Sequence, residues 1–251
     1  MTHVPWLMIP IAFALLVVTR LISEISFMLA EPLYRLLRAW DPDGSFFLIS
    51  MHHLLQAGFA MLVILVMARV LRIRLRDFGF NLRERERGIR LVAGACLVWF
   101  FVQGIAGALM MSRGLTSAAF PFPLTIGNFA GYLAFQVLLS GTSEEILFRA
   151  LVMTPLIWYG VRAGLSEKTA AWLAAGIATV IFMLAHINIA FSPLRITHLN
   201  MLQQLTVLIF GAFYAYLFIR TRSLAWPILA HNLLNGVIVI IGLVLFLAYG
   251  R

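Results

Sequence analysis

The chain has 251 residues, 62% of them apolar and only 12% charged, with a mean hydropathy of +0.96. Soluble domains run about 45–50% apolar and about 25% charged, so this composition excludes a water-soluble globular protein. A bilayer span takes roughly 20 apolar residues and each connection adds roughly ten, so about eight crossings are the ceiling and no length is left for a separate soluble domain. Residues 1–251 therefore read as a single membrane domain.

Apolar segments fall at about 5–29, 46–69, 91–112, 126–157, 169–188, 200–219 and 224–249. They predict an all-α, polytopic transmembrane helix bundle of about seven spans, eight at most. The first segment lacks a basic leader and runs on past Arg20 and Glu24, so it reads as an uncleaved span. Segment 126–157 is long enough to be broken. The net charge of +9 comes from 19 Lys and Arg against 10 Asp and Glu. These cations collect in short connections, with no basic groove interleaved by stacking aromatics, so nucleic acid is not the expected partner. Positive-inside orientation and the anionic headgroups of the lipid bilayer account for them.

The connection Val70 to Arg90, with Arg69 at its edge, is the most basic and is expected to be cytoplasmic. Alternation then places Arg162, Lys168, Arg220 and Arg222 on that side, and Arg35, Arg38, Arg113, Arg195 and Arg251 on the other, a balance of 12 to 5. The N-terminus is expected in the cytoplasm of a bacterial-type cell membrane. Trp158, Tyr159, Trp172 and Trp226 fall where an interfacial aromatic belt would lie. Cys96 is a lone thiol in an apolar run and reads as a packing residue.

An ionisable group inside a span costs about 2.5–3.5 kcal/mol on insertion scales, so each marks a candidate functional site. Glu24 and Arg20, four apart, can neutralise each other. His52 and His53, beside Gln56, read as polar interhelical contacts. Segment 126–157 is different: Gly141-Thr142-Ser143-Glu144-Glu145-Ile146-Leu147-Phe148-Arg149 sets two adjacent carboxylates and an arginine in an apolar helix. Glu145 and Arg149 share a face and can form a buried ion pair. Glu144, turned about 100° away, has no local partner and suits a general base or acid. Ser143 reads as a cap or a break ahead of the carboxylates.

Two further segments carry polar groups. Phe182 and His186 lie one turn apart on one face, as do His231 and Asn235, which together can hold water or an oxyanion. The combination suggests water activated for attack on a carbonyl within the membrane. The three aspartates, Asp41, Asp43 and Asp77, lie in connections, which excludes an intramembrane aspartyl dyad. No HExxH helix is present, and Gly141-Thr142-Ser143 runs into Glu144 and not the glycine a serine mechanism wants.

Glu144-Glu145-x-x-x-Arg149, Phe182-x-x-x-His186 and His231-x-x-x-Asn235, in this order, resemble the CPBP intramembrane proteases, which include type II CAAX prenyl endopeptidases and bacteriocin-processing or immunity proteins. The resemblance covers roughly 126–240, the expected catalytic core. It implies a peptidase acting on a membrane-tethered peptide or protein. Glu144 and His186 would activate water, and His231 and Asn235 would stabilise the oxyanion, with Glu145, Arg149 and Phe182 in support. One branch of the family acts on prenylated CAAX tails. The family is often labelled metalloprotease, and Glu144, Glu145, His186 and His231 are candidate Zn²⁺ ligands, although Arg149 opposes a dication and a metal-free glutamate mechanism is slightly favoured.

Two other readings compete: a non-catalytic immunity or scaffold protein using the same network for helix packing, and, more distantly, a proton-relaying transporter, for which no internal symmetry is visible. One difficulty attends the peptidase reading. As straight rods the segments place His186 and His231 at depths roughly 15 Å apart at 1.5 Å per residue.

Overall fold

A computed structural model describes residues 5–115, 120–191 and 194–249; Arg251 and parts of two connections fall outside them. Among the described residues six helices are long and apolar enough to cross a membrane. They are α1 (Met8–Leu37), α2 (Phe47–Leu71), α3 (Arg85–Ser112), α7 (Glu167–Ala185), α8 (Met201–Thr221) and α9 (Ala225–Tyr249). The expected seventh span is a composite rod. It runs through α4 (Ile126–Phe135), α5 (Gly141–Glu145) and α6 (Thr154–Arg162), joined by π-helical turns at Gln136–Ser140 and Ile146–Met153. The junction residues keep right-handed helical dihedrals, so the rod widens twice without breaking. Wide turns of this kind are rare and concentrate at functional sites.

This rod is the core of the bundle. Ile146 through Leu156 are all buried, which fits a helix that is hydrophobic all round. It packs against α2, α7 and α9, while α1 lies on α2, α8 on α7 and α9, and α3 on α9. The outer helices turn large apolar side chains outward: on α3 alone Leu97, Val98, Phe100, Phe101, Val102, Ile105 and Leu109 are exposed. Contiguous apolar surface on this scale is tolerated only against lipid or a partner, and the chain is an integral, multi-pass membrane protein.

Spans predicted from hydropathy shift where local chemistry is stronger than apolar content. Helix α1 continues through Glu31 and Pro32 to Leu37, and α3 starts early, at Arg85. The connection expected at Ile189 to Leu199 holds a small antiparallel hairpin, β1 (Asn188–Phe191) and β2 (Leu194–His198), the one sheet in an otherwise helical chain among the described residues. Arg20 does not pair with Glu24. Its guanidinium donates to the carbonyls of Leu184 and Ile187, at and just past the end of α7. The aromatic belt is only partial. Trp172 is exposed, but Tyr159 and Trp226 are buried, and the Trp226 indole donates to the Arg83 carbonyl at 2.7 Å. Gly88 permits that seat, since a Cβ there would come within 2.2 Å of the indole.

Both ends of the bundle are tied by loop polar groups. At the end carrying the Arg-rich connection, the Leu224 N–H donates to the Gly79 carbonyl at 2.8 Å and Asn81 donates to the Arg222 carbonyl at 2.8 Å. At the opposite end the buried Asp41 carboxylate accepts from the backbone N–H groups of Ser45, Phe46 and Phe47 and from the Ser45 hydroxyl, at 2.7–2.9 Å, and so starts α2. Burial would raise the Asp41 carboxyl, but these hydrogen bonds from Phe47, Phe46 and Ser45 outweigh it and hold the group below its ordinary value of 3.8. A folded value below the unfolded one adds stability above pH 3.8 that is lost as pH falls through the folded value. Asp41→Ala should lower stability in detergent by about 1–3 kcal/mol at neutral pH. The deficit relative to wild type should shrink in thermal unfolding scans carried below pH 3.8.

Candidate active site

Glu145 and Arg149 are both fully buried, four residues apart across the second π turn, with Arg149 Nε 3.0 Å from Glu145 Oε2. Arg149 also donates to the Gly211 carbonyl of α8 at 3.2 Å, and its guanidinium lies over the rings of Phe182 (5.4 Å) and Tyr214 (5.9 Å). The other carboxylate oxygen, Oε1, is 2.9 Å from His231 Nδ1. An ionised carboxylate only accepts, so Nδ1 donates to it and Nε2 is the nitrogen left free. Tyr214 stacks on that ring at 4.6 Å with an interplanar angle of 16°. Glu145 is thus fully committed to holding α9 and Arg149.

Glu144 is not so committed. Its side chain keeps 18% exposure, and its Oε2 has no hydrogen-bond partner, lying 3.8 Å from His231 Nε2. His186 is the residue that closes α7, and its Nδ1 lies 2.8 Å from the Phe182 carbonyl. A carbonyl also only accepts, so His186 is protonated at Nδ1 and keeps an Nε2 lone pair. The 15 Å depth difference disappears in the fold. Helix α7 starts at Glu167, and the His186 and His231 rings flank Phe182 at 4.7 and 6.2 Å.

Asn235, one turn beyond His231, donates from Nδ2 to Ser140 Oγ at 3.0 Å. Glu144, Phe182, His186, His231 and Asn235 all line one cavity of about 500 Å³, which Ser140, Gln136 and Tyr214 also border. A second cavity of about 130 Å³ lies against the other side of Glu144 and His186 and is lined by Arg20, His52, His53 and Gln56. The residues singled out in sequence are therefore brought together.

Several neighbours were not legible in the sequence. Asn232 accepts from the Gly141 N–H at 2.8 Å and donates to Thr142 Oγ1 at 3.2 Å, clamping α9 onto α5. Gly141 is what allows that approach: a Cβ there would lie 2.5 Å from His231 Cβ and 2.8 Å from Asn232 Oδ1. Ser143 is not a cap. It is buried within α5, its Oγ 2.5 Å from His53 Nδ1, which gives His53 the interhelical contact expected of it.

The candidate zinc donors do not fit an ion. Among the described residues no group of three His, Cys, Asp or Glu side chains is placed to hold one. Glu145 is taken by Arg149 and His231, which removes it from the candidate donors. The metalloendopeptidase label is therefore not supported.

The fold and site define a class: a polytopic helical membrane protein with glutamate, histidine and asparagine side chains converging on a cavity inside the bundle. Residues 126–237, a little under half of the chain, match the family described as type II CAAX prenyl endopeptidase Rce1-like. The matched stretch lies within residues 126–240, over which the ordered motifs resemble the CPBP proteases. No protein of curated function and no solved structure matches the chain.

Removing one partner of a buried ion pair costs about 3–5 kcal/mol because the other charge stays buried. Arg149→Met should therefore lower the thermal unfolding midpoint sharply, whereas Glu145→Gln combined with Arg149→Met should recover a large part of the loss. Equal destabilisation of the single and double variants would show that Arg149 acts through packing alone.

Proposed function

We propose that the protein is an intramembrane endopeptidase that hydrolyses a peptide bond of a membrane-tethered peptide or protein. The observation that carries this reading is the division of labour between the adjacent glutamates: Glu145 is consumed by Arg149 and His231, while Glu144 reaches the cavity that His186 and Asn235 share. Glu144 takes a proton from water as the oxygen adds to the scissile carbonyl, and His186 Nε2 accepts the second O–H and orients the nucleophile. The tetrahedral oxyanion receives a hydrogen bond from the Asn235 amide, which has one N–H beyond that given to Ser140. His231 contributes a second donor when its ring carries both protons, since Nδ1 is already directed at Glu145. The proton held by Glu144 then passes to the departing amine. No step requires a metal ion.

The family description supports a CAAX-type substrate, and a prenylated tail is its chemical form. The Arg-rich end is assigned to the cytoplasm by its cations, which puts the N-terminus there as well, in a bacterial-type cell membrane.

Purified protein in proteoliposomes should cleave a membrane-tethered CAAX reporter. Glu144→Gln and His186→Ala should each abolish cleavage with unchanged unfolding midpoints, and Asn235→Ala should lower kcat by about 10²–10³. Cleavage that survives both Glu144→Gln and His186→Ala would remove this mechanism.

A further inference from the structure

A third cavity, of about 430 Å³, opens at the Arg-rich end of the bundle and is lined by none of the residues of the candidate active site. Its size is that of a small-molecule site, about 300–1,000 Å³. Five guanidinium groups line it, from Arg72, Arg76, Arg83, Arg162 and Arg222, against two carboxylates, Asp77 and Glu167. Both carboxylates are already engaged: Asp77 bridges Arg74 and Arg76, at 3.1 and 3.8 Å, and Glu167 pairs with Arg222. Arg72, Arg83 and Arg162 have no carboxylate partner among the described residues, although Arg162 is held over the Trp158 ring at 4.1 Å.

Topology asks only for cations in the connections. It does not ask three separate pieces of chain, the end of α2, the loop before α3 and the end of α6, to bring arginines to one hollow. Like charges gathered at one hollow repel one another unless an anion stands between them.

We propose that this cavity binds a phosphate group, with Arg72, Arg83 and Arg162 supplying charge-assisted hydrogen bonds. The phosphate is borne either by an anionic lipid headgroup at the membrane surface or by a soluble phosphate compound. The site stands whether or not the chain is a peptidase.

The test uses the full chain in phosphatidylcholine nanodiscs, with phosphatidic acid titrated into the bilayer in one arm and inorganic phosphate into the buffer in the other, and thermal unfolding as the readout. Saturable stabilisation is expected in at least one arm; the lipid arm alone assigns a headgroup, and a response to inorganic phosphate assigns a soluble ligand. Arg72→Gln combined with Arg162→Gln should weaken the response at least tenfold, and Arg83→Gln severalfold. Neither variant should change Glu144-dependent cleavage in the absence of the phosphate ligand. Failure of both arms, or a response undiminished in both variants, overturns the proposal.

Discussion

A carboxylate with no exposure to water inside an apolar bundle must find donors or give up its charge. Glu145 takes a hydrogen bond from His231 on α9 and an ion pair from Arg149 on its own rod, and the rest of the site is arranged around that necessity. Arg149 in turn reaches the Gly211 carbonyl, so one buried ion pair ties the central rod to both α8 and α9. Tyr214 and Phe182 wall this cluster with aromatic faces over the guanidinium.

The same constraint separates two chemically identical neighbours. With Glu145 spent, Glu144 alone projects where water or a substrate can meet it. The short α5 turn that carries both is flanked by π-helical turns. Gly141 at its start lets His231 and Asn232 close onto the backbone. The polar residues are thus held by a rigid inner rod and its immediate neighbours, while α3 contributes mainly an outer apolar surface.

Charge is managed differently at the bundle's ends. At one, Asp41 meets its donors within a single turn and is locally satisfied. At the other, guanidinium groups outnumber carboxylates around a hollow.

Composition alone determined that this chain lives in a membrane, because 62% apolar residues cannot be hidden from water in a chain of this length. The Glu145–Arg149 pair was legible because four-residue spacing on a helix is a local property, and so was the freedom of Glu144, one step round the same helix. The family's ordered motifs likewise pointed to His186, His231 and Asn235 as site residues. What only the tertiary structure decided were the relations between helices distant in sequence. Arg20 bonds carbonyls at the end of α7 and not Glu24, Ser143 bonds His53 instead of capping, Trp226 is buried, and His186 and His231 meet across Phe182 despite their spacing along straight rods. Hydropathy reports how much of a segment prefers lipid. Which polar atoms meet inside the bundle depends on where helices widen, end and approach, and those are set by packing between residues that the sequence keeps far apart.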